Sequence, residues 1–103
     1  MKKKVLIIDN DLKACRQIKY ALQNITTDVY YTVSVFEGIK RFIEQDYCLV
    51  IIDIVLSEVD GQELLKIMRK TKTIPILVLS SKQGVETRLS SYRAGAHAYM
   101  EKP

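Results

Sequence analysis

The sequence turns from apolar to polar within one short stretch, Val5-Leu6-Ile7-Ile8-Asp9-Asn10-Asp11. A continuous apolar run of this kind is typical of a strand that is buried on both faces of a parallel sheet. Residues 49–52 and 76–79 repeat the pattern, and they are followed at once by Asp53 and by Ser80. We therefore predict three central strands, each with a polar side chain at its carboxyl end.

Two less apolar segments predict the remaining strands, which alternate with helices along the chain. Residues 29–33 are β-branched and aromatic and predict an edge strand, and residues 98–100 predict a short fifth strand. Between the strands, apolar residues recur at helical spacing. The positions that we expect to face the sheet are Leu12, Cys15, Ile18, Leu22, Ile39, Phe42, Ile43, Leu64, Leu65, Ile67, Met68, Val85, Leu89 and Tyr92.

The ends of these helices carry recognisable signals. Asp11 and Ser34 are suited to cap the first two helices, because their side-chain oxygens can accept hydrogen bonds from free backbone N–H groups. The third helix is predicted to start near Gly61, and Gly95 is predicted to end the fourth. Strict alternation with short gaps predicts an α/β fold with a doubly wound parallel sheet and helices on both faces.

In such sheets, ligands bind beyond the carboxyl ends of the strands. The residues expected at those ends are Asp9-Asn10-Asp11, Asp53, Ser80-Ser81 and Glu101-Lys102. A carboxylate can act as a nucleophile toward phosphorus. Carboxylates also suit Mg²⁺, which is held by one or two of them together with waters. Polar groups at four strand ends therefore predict a single site.

The composition excludes several classes of protein. The 103 residues are enough for one domain, with 48% hydrophobic and 27% charged residues. No apolar run approaches the ~20 residues of a membrane span, so we expect a cytoplasmic protein without contact to a membrane. The net charge is +4, but lysines alternate with apolar positions on predicted helices, which favours a solvated surface over a nucleic-acid site.

The cysteines and the single histidine give no metal-binding pattern. Cys15 and Cys48 lie in apolar segments, which predicts buried free thiols in a reducing compartment. His97 is predicted to lie in a surface loop, and its isolation argues against a zinc site or histidine-based catalysis.

Across its whole length, the chain resembles the receiver domains of two-component response regulators. Asp60-Gly61 begins seven residues after Asp53, which is the spacing of the family. The other matching stretches are residues 5–10, 49–53 and 74–80, Ala94-Gly95-Ala96, Tyr99 and Lys102-Pro103. It implies a flavodoxin-like, five-stranded sheet in the order 2-1-3-4-5. It also implies a signalling switch rather than an enzyme, with a sensor histidine kinase as the partner that supplies a phosphoryl group.

The family's functional residues can be matched position by position. The resemblance implies that Asp53 accepts the phosphoryl group, that Lys102 pairs with one of its oxygens, and that Ser80 and Tyr99 switch position afterwards. For Mg²⁺ it implies a set of ligands that consists of Asp9, Asn10, Asp53 and the backbone carbonyl of Val55.

Two positions depart from the family pattern. Asn10 stands where a carboxylate is usual, so the affinity for Mg²⁺ should be lower unless Asp11 takes its place through a loop shift. Ser57 stands where proline is frequent. Asn10 leaves an alternative open, an atypical receiver that acts as an interaction or dimerisation module without phosphorylation. A flavodoxin-like nucleotide or flavin binder would need a Gly/Ser/Thr-rich loop after the first strand, and residues 9–11 are not one.

Family members continue beyond Lys102-Pro103 into a fifth helix and often into an output domain. We therefore expect residues 1–103 to be a receiver domain truncated before its last helix, with contact to DNA only through an output domain outside this chain. Without a fifth helix, the face beside the first helix is expected to stay partly open. Formation of a homodimer would cover such a face.

Overall fold

The computed structural model describes residues 2–53, 60–80 and 85–102, which form five strands and four helices. In chain order, these elements are β1 (Lys3–Ile8), α1 (Leu12–Leu22), β2 (Thr27–Thr32), α2 (Val35–Glu44), β3 (Leu49–Asp53), α3 (Gly61–Thr71), β4 (Ile76–Ser80), α4 (Val85–Ala94) and β5 (Ala98–Glu101). Every predicted strand and helix of the alternation is present. Val55, Ser57 and Ser81 lie outside the described residues.

All five strands are parallel and follow the order β2-β1-β3-β4-β5, as predicted. In the register of the sheet, Ile8 lies opposite Ile52 and Asp53 lies opposite Leu79. Ser80 in turn lies opposite Glu101. The polar residues that follow the apolar runs are therefore aligned along one edge of the sheet.

The hydrophobic core has one layer on each side of the sheet. The larger layer packs β1, β3 and β4 against α2, α3 and α4, and it includes Leu6, Ile8, Phe42, Val50, Ile52, Leu65, Met68, Ile76 and Val78. The smaller layer lies under α1 and includes Val5, Ile7, Cys15, Val29 and Ile51. On that side, Leu77 and Leu79 of β4 are only half-buried. The homodimer expected from this partly open face stays a prediction.

Polar side chains cap the first three helices. Asp11 Oδ1 accepts hydrogen bonds from the backbone N–H groups of Lys13 and Ala14 at 3.0 and 3.3 Å. Ser34 and Asp60 serve α2 and α3 in the same way. Caps of this kind stabilise a helix by about 1 kcal/mol. The predicted caps Asp11 and Ser34 are confirmed.

The predicted inward faces of the helices are partly wrong. Several apolar residues that we expected to face the sheet are exposed: Leu12, Leu22, Ile43, Ile67, Leu89 and Tyr92. Helices α1, α2 and α3 each bury a narrower stripe than their apolar spacing suggests. Among residues 88–94 of α4 the buried positions are Ser91 and Ala94, so Leu89 and Tyr92 are turned toward solvent, and the side chain of Val85 lies outside the described part of the structure.

The prediction for the cysteines is half right. Cys15 is fully buried, but Cys48 is exposed. Cys48 precedes β3, where Tyr47 takes the inward position instead. His97 lies in an exposed loop, as predicted, and its Nδ1 lies 2.7 Å from Arg69 Nη2.

The turn between α4 and β5 requires glycine. Gly95 has a φ of 118°, a conformation that other residues rarely adopt. Arg69 Nε donates a hydrogen bond to its carbonyl at 3.1 Å, and Arg69 Nη2 donates to Ile74 O at 2.9 Å. A Cβ atom on Gly95 would lie only 2.7 Å from Arg69 Cγ. The turn is therefore closed by a backbone conformation and a packed side chain together.

We predict that Gly95→Ala destabilises the domain by about 1–3 kcal/mol, because the methyl group adds both backbone strain and a clash with Arg69. Urea unfolding followed by circular dichroism measures the change. A variant with the free energy of unfolding of the wild type would mean that the turn adopts another conformation at no cost.

Candidate functional site

Three charged side chains meet at the carboxyl edge of the sheet. Asp9 follows β1 and Asp53 ends β3, and these residues are only 2% and 5% exposed. Lys102 Nζ lies 2.7 Å from Asp9 Oδ2 and 2.8 Å from Asp53 Oδ2. The ammonium group therefore bridges the carboxylates of two adjacent strands.

The position of Lys102 is fixed by the end of β5. Its backbone N–H donates a hydrogen bond to Ser80 O at 2.8 Å, which holds residue 102 beside the end of β4. From there, the long side chain reaches across β4 to Asp53 and Asp9. Ser80 itself is fully buried at the end of β4. Four predicted site residues are thus brought to one edge.

The charges of this cluster are mutually stabilising. Burial alone lowers the pKa of Lys102, but the hydrogen bonds to Asp53 and Asp9 outweigh it and raise the pKa above the usual 10.5. The resulting stabilisation is fully present below pH 10.5 and is lost only as the pH rises through the higher pKa of the folded state. At neutral pH the ammonium is therefore charged and pairs with both carboxyl groups.

Cys15 and Asp11 both donate hydrogen bonds to Asp9, which follows β1. The backbone N–H of Asp11 donates to Asp9 Oδ1 at 2.9 Å, and the Cys15 thiol donates to Asp9 O at 3.3 Å. Burial, with the negative charges of Asp9 and Asp11, raises the pKa of Cys15 to about 11. Cys15 is therefore a neutral thiol at physiological pH, and no local pattern in the sequence predicts its contact with Asp9.

The remaining predicted residues lie around this cluster. Asn10 is exposed, directly beside Asp9 at the same edge. Tyr99 of β5 is buried, and its ring packs into the larger core layer. The guanidinium of Arg88 in α4 lies 5.8 Å from the centre of that ring. Val55, the predicted carbonyl ligand, lies outside the described residues.

The donor set can be compared with the needs of a divalent cation. Within residues 2–53, 60–80 and 85–102, no group of three or more His, Cys, Asp or Glu residues could hold a metal. The oxygens of Asp9 and Asp53 nevertheless suit Mg²⁺, which keeps several waters and needs few protein ligands. Asp11 uses its side chain as a helix cap instead. The site thus fits a hard cation that has few protein ligands.

The chain belongs to the response regulator receiver domain family, whose model matches residues 5–103. The cell cycle response regulator CtrA of Brucella ovis is 34% identical over 101 residues, which cover 97% of this chain and 44% of that protein. The chain thus spans less than half the length of the curated relatives it matches.

Solved structures agree with this assignment. A two-component response regulator from Clostridium difficile is 28% identical, with a TM-score of 0.94 over 99% of this chain and 84% of that one. A response regulator from Burkholderia pseudomallei, crystallised with a phosphorylated aspartic acid, a calcium ion and citrate, is 21% identical and shares the fold. Its TM-score is 0.90 over 99% of this chain and 61% of that one. The described part of this chain contains no helix that is long and apolar enough to cross a membrane.

We predict that Lys102→Met lowers the free energy of unfolding by about 3 kcal/mol, because it leaves two buried carboxylates without their cation. Chemical denaturation at neutral pH measures the loss. Lys66→Met is the matched control, since Lys66 forms an exposed pair with Glu63 and its removal should cost about 0.5 kcal/mol or less. Equal costs for the two variants would contradict a structural role for the bridge.

Proposed function

We propose that this chain is a phosphorylation-dependent switch in which Asp53 accepts a phosphoryl group from a sensor histidine kinase. The observation that carries the proposal is the ammonium of Lys102 within hydrogen-bonding distance of both Asp53 and Asp9. A structural ion pair would need only one carboxylate. A second buried carboxylate at an open strand end costs stability, and sites that bear such a cost are commonly functional.

The chemistry follows from the groups at the strand ends. A carboxylate oxygen of Asp53 attacks phosphorus and forms a P–O bond, while the P–N bond to the histidine of the kinase breaks and the imidazole takes the electron pair. Asp53 becomes an acyl phosphate, and Lys102 balances part of the added charge as a hydrogen-bond donor. The chain acts as an acceptor of the group rather than as an enzyme with turnover.

Asp9, Asp53 and Asn10 are the residues that would hold Mg²⁺, together with the predicted carbonyl of Val55. When bound, the metal supplies positive charge that offsets the repulsion between the carboxylates and the phosphoryl oxygens. With Asn10 as an amide, the chain brings one negative charge fewer to that task. We expect a weak metal site whose affinity is limited by this residue.

The signal leaves through Ser80 and Tyr99. Ser80 is buried at the end of β4, where its backbone carbonyl accepts from the N–H of Lys102, and its hydroxyl group is suited to bond a phosphoryl oxygen. Tyr99 is buried next to α4, so a change at Ser80 can alter the packing between β5 and α4. Since the curated relatives are more than twice as long as the match, we propose that the output is a DNA-binding, transcription-regulating domain outside this chain, in a cytoplasmic protein.

A second function is favoured by Asn10 alone. Lys102 pairs with both Asp9 and Asp53 without a metal, so an atypical receiver would keep its structure without phosphorylation. Such a domain would act as an interaction or dimerisation module. The experiments below separate the two functions, because only the first requires a labelled Asp53.

We predict that acetyl phosphate with Mg²⁺ adds one phosphoryl group to the wild type and none to Asp53→Asn, which lacks the nucleophilic oxygen. Intact-protein mass spectrometry at short times measures the labelling. Asp46→Asn is the control, because Asp46 is a fully exposed aspartate outside the site. Labelling of Asp53→Asn at the level of the wild type would refute the assignment of the acceptor.

We predict that Asn10→Asp tightens the binding of Mg²⁺ by about tenfold, or about 1.4 kcal/mol, because it restores a negative charge beside Asp9. Isothermal titration calorimetry measures the affinity. Asp11→Asn is the control and should change the affinity much less, since the Asp11 side chain is engaged as the cap of α1 and asparagine keeps that cap. If Asp11→Asn weakens binding and Asn10→Asp has no effect, Asp11 is the ligand instead.

A further inference from the structure

A polar contact joins the first turn of α3 to the middle of α4 inside an apolar interface. Gln62 Nε2 lies 3.4 Å from Ser91 Oγ, and Ser91 is fully buried. The neighbouring core residues of these two helices are Leu64, Leu65, Met68 and Ala94. Because buried polar groups reduce stability unless they are well bonded, this contact is not explained by packing alone.

The hydrogen bonding of Gln62 is incomplete. Its Oε1 atom is buried and has no hydrogen-bond partner among the residues that the structure describes. If the amide is turned over, its oxygen lies next to Ser91, but the NH₂ group then occupies the place without a partner. The observed distance of 3.4 Å is also long for such a bond. In either orientation, the amide is held weakly and can exchange one bond for another.

The contact connects the elements that follow the two central strand ends of the site. The backbone N–H of Gln62 donates to Asp60 Oδ1 at 2.9 Å, so Gln62 belongs to the cap of α3. Residues 54–59 are all that separates this cap from Asp53. Ser91 belongs to α4, the helix that follows Ser80 in the chain. This pair is therefore a direct polar contact between the helix that follows Asp53 and the helix that follows Ser80.

We propose that Gln62 is a positioning residue that carries a change at Asp53 to α4 through Ser91. This inference rests on the function proposed above. A serine hydroxyl can donate or accept, and an amide offers both groups, so the pair can be rebonded in two helix arrangements of similar free energy. An apolar pair would favour one arrangement. The polar pair therefore lowers the stability of the native state but allows α3 and α4 to move relative to each other.

The test is the double variant Gln62→Met/Ser91→Ala, which replaces both polar groups with apolar groups at similar volume. We expect its Tm to be unchanged or higher by up to about 4–8 °C, because the unsatisfied buried oxygen is removed. Hydrogen–deuterium exchange over residues 85–94 is compared before and after treatment with acetyl phosphate and Mg²⁺. We expect the response of α4 to fall by about threefold or more, while labelling of Asp53 stays at the wild-type level.

Ser90→Ala is the matched control, since Ser90 is the exposed neighbour of Ser91 and should keep the full response. The inference is overturned if α4 of the double variant shows the full exchange response. If the Tm of that variant is also lower than that of the wild type, the pair has a purely structural role. A wild type that is labelled on Asp53 without any change in α4 also overturns it. A wild type that is not labelled at all overturns the proposed function and this inference together.

Discussion

The rest of the structure depends on one interaction, the pairing of the Lys102 ammonium with the buried carboxylates of Asp9 and Asp53. Two carboxylates at adjacent strand ends repel each other and are costly to desolvate, and a single cation at 2.7 and 2.8 Å offsets both effects. The cation comes from the end of β5, so β5 must lie beside β4 with its carboxyl end at the same edge. The strand order therefore serves the site as well as the core.

The sheet separates the task of stability from that of function. Apolar side chains fill both layers along the length of β1, β3 and β4, and the polar residues are confined to the position where each strand ends. Since parallel strands end at one edge, four polar groups meet there without interrupting the core. Gln62 and Ser91 depart from this division, because they place polar atoms between two helices, and Gln62 Oε1 has no hydrogen-bond partner among the described residues.

Local signals in the sequence were sufficient for the fold and for placing Asp9, Asp53 and Ser80 at one edge of the sheet. The apolar runs before Asp9, Asp53 and Ser80 predict strands and their polar ends, and strict alternation leaves few topologies to consider. What depends on packing between distant residues was not predictable. Spacing alone could not indicate that α4 turns Ser91 inward rather than Leu89, or that Lys102 contacts Asp9 as well as Asp53. The exposure of Cys48 has the same origin, since it depends on the position at which β3 begins.

Reductive trapping tests the central claim, that Asp53 forms an acyl phosphate, most directly. The protein is treated with acetyl phosphate and Mg²⁺ and then with sodium borohydride, which reduces an acyl phosphate to an alcohol and so converts the aspartate to homoserine. Peptide mass spectrometry then locates the modified residue. We expect homoserine at position 53 and unmodified aspartate at positions 9 and 11. Unmodified Asp53, or homoserine at another position, would contradict the account.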